Sequence, residues 1–249
     1  MCLILVAWRA HAEFPLVVAA NRDEFHARPT RAAAPWAKAP DVLGGIDLEA
    51  GGTWLGVTKQ GRFAAVTNVR EPGVPPGRRS RGHLTRDFLL GDQSAAMAAA
   101  AIDGSDYSGF NLLLADGEHL CYLSNRAGSP RFLPPGIYGV SNHLLDTPWP
   151  KLASAKKRFI AALPGLPERS PFFEILADDE IVADEYLPDT GVPLEWERLL
   201  SAIFVRSPGY GTRASTLLMV DRQGAIRLEE RSFGPGGEVL QSSVISTGV

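Results

Sequence analysis

Cysteine is scarce in this chain: Cys2 and Cys121 are the only two in 249 residues. Two thiols so far apart make no disulfide framework, and a reducing compartment is the simpler setting. The five histidines, His11, His26, His83, His119 and His143, are scattered. No Cys/His group has zinc spacing, and no metal site is expected. No apolar run approaches the roughly 20 residues that a spanning helix needs, and no basic residue precedes the apolar stretch 2–8. Neither a signal peptide nor a stable membrane insertion is therefore expected, and the expected location is cytoplasmic. Charge of neither sign dominates: 25 Lys and Arg against 28 Asp and Glu leave a net charge of -3, which favours no nucleic-acid partner. Also missing are Gly-x-x-x-x-Gly-Lys, His-Glu-x-x-His, Gly-x-Ser-x-Gly and the Cys-x-x-Cys-His haem attachment.

Glycine and proline are plentiful instead, at 25 and 19 residues, which implies many turns joining short strands. The length fits one domain over residues 1–249 with a sizeable core. Residues 2–8 and 15–20 are nearly continuous apolar runs joined by a polar turn, so both strands are expected to be covered on two faces. Three further hairpins turn at Gln60-Gly61, Asp116-Gly117 and Gln223-Gly224. Helices are expected over 84–102, with an interruption at Gly91, and over 149–163, 172–177 and 194–204. In the second of these, Lys151, Lys156, Lys157 and Arg158 are assigned to a solvated face. The Pro-rich stretch 72–81 is expected to be a loop. Antiparallel hairpins with a few helices imply stacked sheets covered by helices.

Cys2 is the residue with the most chemistry to offer. If Met1 is trimmed, one residue carries both a thiol and a free α-amine, a nucleophile and a base on the same carbon. The plain alternative is a small apolar residue at the start of a buried strand. Antiparallel pairing through the first hairpin places Cys2 beside Asn21, Arg22 and Asp23. Arg22 would then favour the thiolate, and Asp23 would orient the N-terminal ammonium or pair with Arg22. Neighbouring strand residues face opposite sides, so Arg22 and Asp23 are not both expected to enter one pocket.

Cys2, then Asn21-Arg22-Asp23-Glu24, then Gly51-Gly52-Thr53-Trp54-Leu55-Gly56, resembles the NRDE family, also called the transport and Golgi organisation family. Thr67-Asn68, Ser80-Arg81-Gly82-His83-Leu84, Gly109-Phe110-Asn111-Leu112, Ser141-Asn142 and Tyr210-Gly211-Thr212-Arg213 follow in the same order. The resemblance implies the N-terminal nucleophile hydrolase fold. That fold is an α+β, four-layer αββα sandwich of two antiparallel sheets between helical layers. By resemblance to the bile-salt and penicillin amidases, the catalytic candidates are Cys2, Arg22, Asp23, Asn68, Asn142 and Arg213.

Two readings remain open at this stage. In the first, Cys2 attacks the carbonyl of an amide or thioester of a hydrophobic acyl group. Asn68 and Asn142 donate to the oxyanion, Arg213 binds a substrate anion, and no cofactor is required. Arg81, within the basic cluster of Arg78, Arg79 and Arg86, is an anion-binding candidate, and Trp54 and His143 are candidate pocket residues. In the second, the same pocket is a non-catalytic carrier of haem, acyl-CoA or lipid, with Cys2 available to haem iron. Either way the expected partner is a small hydrophobic or amphipathic ligand.

Overall fold

The computed structural model describes residues 2–248. Removal of Met1, the condition on which the nucleophile-and-base reading of Cys2 rests, lies outside the described residues. The chain opens with four strands, β1 (Cys2–Trp8), β2 (Leu16–Phe25), β3 (Thr30–Trp36) and β4 (Ala39–Asp47). The hairpin of β5 (Leu55–Thr58) and β6 (Phe63–Asn68) follows. Two helices come next, α1 (Gly82–Leu90) and α2 (Ala95–Ala101). Strands β7 (Phe110–Ala115), β8 (Leu120–Ser124), β9 (Arg131–Leu133) and β10 (Gly136–Val140) lead to α3 (Pro150–Ala162), α4 (Ser170–Leu176) and α5 (Leu194–Leu199). The chain returns through β11 (Tyr210–Val220), β12 (Ile226–Phe233) and β13 (Val239–Thr247).

The strands form two antiparallel sheets. One runs β10-β1-β2-β11-β12-β13 and the other β3-β4-β5-β6-β7-β8-β9. Alternation along β1 explains how the layers stack. Ile4, Val6 and Trp8 meet Leu43, Leu55, Phe63 and Leu113 between the sheets. Leu3, Leu5 and Ala7 point the other way, onto Leu152, Phe159 and Phe172 of α3 and α4. On the far side of the second sheet, Leu84, Phe88, Ala95 and Ala99 of α1 and α2 cover Ala64, Leu112 and Leu114. The order is helix, sheet, sheet, helix, as the family resemblance implies. With both faces of β1 covered, all seven of its residues are buried, which is why its sequence runs apolar without alternation.

Local chemistry sets the helix ends. Gly91 caps α1 and Ser94 accepts from the Met97 N–H at 3.2 Å to start α2, so 84–102 is two helices rather than one. Pro150 occupies the first turn of α3. One expectation fails there: Lys151 is buried at 5% exposure, while Lys156 reaches Asp146 at the surface. The first turn of α3 lies against the first sheet, and Lys151 faces inward.

Asn21, the first residue of Asn-Arg-Asp-Glu, is fully buried on the helix side of β2. Its amide donates to the carbonyls of Leu176 and Ile203 at 2.8 and 2.9 Å, and its oxygen accepts from Ser215 Oγ at 2.6 Å. It ties the sheet to the end of α4 and to the chain leading into β11. Replacing Asn21 with Ala strands two buried carbonyls and a hydroxyl. We expect urea denaturation of Asn21→Ala to show a stability loss of about 2–4 kcal/mol, each orphaned group costing about 1–3 kcal/mol. A loss below about 0.5 kcal/mol would contradict this role for the residue.

Candidate active site

The turn between β1 and β2 fixes the register. The Arg9 N–H donates to Pro15 O at 2.7 Å, and His11 Nδ1 accepts from the N–H groups of Glu13 and Phe14. From that turn the strands zip back until Cys2 pairs with Arg22. Continuing the alternation of Ile4, Val6 and Trp8, Cys2 points between the sheets. There it meets a cavity of about 340 Å³ that Arg22, Thr53, Trp54, Asn68 and Arg81 also line. The thiol is only 7% exposed, and burial pushes its pKa up, as does the Asp23 carboxylate. Arg22 and a main-chain hydrogen bond from Asp23 pull it down. The burial effect wins, so the thiol is the resting form at neutral pH, and attack requires a base.

A buried polar network backs this end of the sandwich. Ser141 Oγ donates to the Cys2 carbonyl at 3.0 Å. Thr67 Oγ1 donates to Ser141 O at 2.6 Å, and the Asn111 amide donates to Thr67 Oγ1 at 3.1 Å. Tyr122 closes the chain by donating to Asn111 Oδ1 at 2.7 Å. Thr67, Asn111 and Ser141 stand in the motif strings, but without the structure nothing gives them this task, which depends on β6, β7 and the end of β10 converging.

The two asparagine candidates divide. Asn68, at the end of β6, lines the cavity. Asn142 is fully buried and lies outside the cavity wall, and its amide donates to Asn68 O at 3.1 Å and to Asn68 Oδ1 at 3.0 Å. Holding Oδ1 fixes the amide plane of Asn68. The Asn68 Nδ2 has no hydrogen-bond partner among the described residues.

The Gly-Gly-Thr-Trp and Ser-Arg-Gly-His strings are in direct contact. A Cβ on Gly52 would lie 2.4 Å from the Gly82 backbone, so glycine is required for this approach. The Thr53 N–H donates to Gly82 O at 3.2 Å, and the Thr85 hydroxyl donates to Thr53 O. This clasp brings Trp54 and Arg81 to the cavity wall. Arg81 donates to Gly109 O at 3.1 Å and makes no ion pair among the described residues, so burial penalises its charge. Glu24 and Glu71 offset that penalty. The other cavity arginines are engaged: Arg22 reaches Glu24 at 4.0 Å, Arg28 pairs with Asp47 at 2.8 Å, Arg78 with Asp106, and Arg79 with Asp87 at 3.3 Å. Arg86 pairs with Asp87 at 2.7 Å.

Two candidates lie away from the cavity. Arg213 is the extra residue of a β-bulge in β11, between the pairs Thr212–Asp23 and Ala214–Arg22. The bulge turns its guanidinium onto the carbonyls of Phe25, His26 and Arg28, at 2.9 to 3.1 Å. It secures the turn after β2 and does not line the cavity. His143 is exposed, with Nδ1 2.8 Å from Thr147 Oγ1 and its ring against Trp149. Asp23 borders the cavity at the strand end, yet its carboxylate accepts from Thr212 Oγ1 at 2.7 Å, while Arg22 lies on the Cys2 side. Lys151, which the sequence put in solvent, acts on the Asp23 carboxylate from the helix layer. Among the described residues no group of three His, Cys, Asp or Glu side chains is disposed to hold a metal ion. No helix there is long and apolar enough to cross a membrane.

Solved structures share this architecture. A conjugated bile acid hydrolase mutant from Clostridium perfringens superposes with a TM-score of 0.53 at 10% identity, covering 98% of this chain and 92% of that one. A Caenorhabditis elegans ortholog of N-acylethanolamine-hydrolyzing acid amidase gives 0.51 at 14% identity, covering 87% and 92%. The fold is thus that of the N-terminal nucleophile hydrolases. Sequence comparison is closer. The chain is 38% identical to the Transport and Golgi organization protein 2 homologs of Bos taurus and Homo sapiens, covering 88% of this chain and 87% of each relative. The Drosophila melanogaster Transport and Golgi organization protein 2 is 28% identical, covering 96% and 95%. The family model for Transport and Golgi organisation 2 matches residues 1–235, the span that holds Cys2, the Gly52–Gly82 clasp and the Asn68–Asn142 pair, and the chain belongs to that family.

Proposed function

We propose that the chain is a cysteine hydrolase of the N-terminal nucleophile type, acting on an amide or thioester whose acyl part is hydrophobic and which also carries an anionic group. The observation that carries this reading is the placement of Cys2 at a strand end facing the cavity, with Asn68 and Arg81 in the same wall. With Met1 removed, the Cys2 α-amine takes the thiol proton as sulfur attacks the carbonyl carbon. The carbonyl π pair moves to oxygen, and Asn68 Nδ2 donates to that oxyanion, its plane held by Asn142. The oxyanion collapses, the C–N or C–S bond breaks, and the ammonium returns its proton to the leaving group. Water then attacks the S-acyl carbon while the amine takes a proton from it. The second oxyanion collapses, the bond between the acyl carbon and the Cys2 sulfur breaks, and the ammonium returns its proton to sulfur, which releases the carboxylic acid and restores the thiol. Arg81 receives the substrate anion.

A carrier of haem or acyl-CoA in the same cavity is the alternative. Arg81 would serve the anion of either ligand. For haem, Cys2 is the only thiol and no histidine lines the wall among the described residues, so one soft donor is on offer. A Soret shift that survives Cys2→Ala would argue against thiolate ligation.

Thiol reactivity separates an active nucleophile from a buried spacer. Burial pushes Cys121 up to about 11, and it lies 1% exposed in the core of the second sheet. We expect an acyl thioester probe to modify Cys2 faster than Cys121 at pH 7, with the Cys2 rate climbing as pH rises, since its resting form is the thiol. Equal rates at the two thiols would rule out an activated nucleophile.

Turnover tests the chemistry. We expect the octanoyl thioester of mercaptoacetate to be cleaved, with thiol release followed directly. Cys2→Ala should abolish turnover, and Asn68→Ala should lower kcat by about 100–1,000-fold. Replacing mercaptoacetate with its methyl ester should raise KM in the wild type and make little difference in Arg81→Met. Wild-type turnover that persists in Cys2→Ala would refute the mechanism.

A further inference from the structure

Lys151 is the one cation of α3 that does not reach the surface. Lys156 and Arg158 pair with Asp146 and Asp178 at 2.7 and 2.5 Å, whereas Lys151 Nζ is buried and donates to Leu200 O at 2.8 Å. A buried ammonium is costly unless a negative charge compensates it. Helix α3 covers the face of the first sheet onto which the odd residues of β2 project, among them Asn21 and Asp23. Asp23 is 2% exposed there.

We propose that Lys151 is a positioning residue whose ammonium, from the helix side of the first sheet, holds the Asp23 carboxylate ionised directly behind Cys2. The catalytic consequence rests on the hydrolase reading above; the charge relation does not. The surrounding charges define its task. Arg70 pairs with Glu197 of α5, both nearly fully buried, and stacks on Trp149. Glu197 also accepts from the Thr190 N–H and hydroxyl at 2.8 and 2.5 Å. From β11, Tyr210 donates to Asp23 O at 3.1 Å and Thr212 to its carboxylate. Arg22 and Arg81 stand on the cavity side with Cys2, and Glu24 follows at the strand exit.

Burial pushes Asp23 up, and the N-terminal ammonium, Lys151, the Thr212 hydrogen bond and Arg22 pull it back, in that order. Burial pushes Lys151 down to about 8, Asp23 and Glu197 hold it up, and Arg70 repels it. Below about pH 8 the ammonium is therefore present, and the carboxylate it favours can hold the Cys2 α-ammonium during turnover. Removing the ammonium raises the Asp23 pKa, so a larger share of Asp23 is protonated at any given pH near it.

The test is carboxyl carbon NMR of the full chain labelled at aspartate, with the Asp23 resonance assigned by its loss in Asp23→Asn. We expect Asp23 to be ionised at pH 7 in the wild type. In Lys151→Met its half-titration should rise by about one pH unit or more, a tenfold fall in its acid constant. Lys151→Arg should restore it to near the wild-type value. Hydrolysis of the mercaptoacetate thioester, measured alongside, should show its acid limb move in Lys151→Met and not in Lys151→Arg. An unmoved Asp23 titration in folded Lys151→Met overturns the proposal, as does an Asp23 protonated at pH 7 in the wild type. If Lys151→Met does not fold, the wild type decides. Its Asp23 resonance should be displaced again as Lys151 titrates near pH 8, and a flat response there overturns the proposal. Absence of wild-type turnover, with the NMR shifts as expected, defeats the hydrolase reading and leaves the charge relation standing.

Discussion

The register of β1 against β2 is the constraint on which the site depends. Side chains alternate along a strand, so a slip of one residue would send Cys2 to the helix layer and bring Leu3 to the cavity. The short turn with its Arg9–Pro15 hydrogen bond and the His11 acceptor blocks that slip. Burial on both sides reinforces it, because a shifted β1 would exchange its two apolar faces against differently shaped neighbours. One register thus puts Cys2 and Arg22 between the sheets and Asp23 on the helix side, behind the sulfur.

Around that point the molecule concentrates polar groups that a core would otherwise exclude. The Tyr122–Asn111–Thr67–Ser141 chain reaches the Cys2 carbonyl from the second sheet, and Asn21 anchors β2 to the helical layer. Each group is partnered, which is the condition under which buried polar networks are tolerated. The two sheets are therefore fixed relative to each other by directional bonds where the cavity opens and by apolar packing elsewhere. The half-buried charge of Arg81 has no ion-pair partner among the described residues, and a ligand anion would relieve that cost.

The sequence was legible where turn chemistry and periodicity agree. The first hairpin, those at Gly61, Gly117 and Gly224, and the break at Gly91 follow from local rules, while the four-layer order came with the family resemblance. β3 and β4 were not legible, because Pro35, Gly44 and Gly45 disguise the strand pattern and their pairing carries irregular registers. β13 is mostly exposed and carries no charge, so its alternation gives little signal. Of the site, hairpin pairing put Cys2 beside Arg22 and Asp23, the family resemblance supplied Asn68, and these four line one cavity with Trp54 and Arg81. Arg213 went astray because a one-residue bulge is invisible in sequence, and His143 because adjacency to Asn142 says nothing about direction. Lys151 was misread since three further cations in its helix imitate a solvated face; only the packing of its first turn reveals otherwise.

The most direct measurement is the intact mass of the purified protein before and after exposure to the octanoyl thioester. A chain that starts at Cys2, and that gains one octanoyl group on that residue in a form released by hydroxylamine, is the expected result. A chain that retains Met1 and takes up no acyl group on Cys2 contradicts the account.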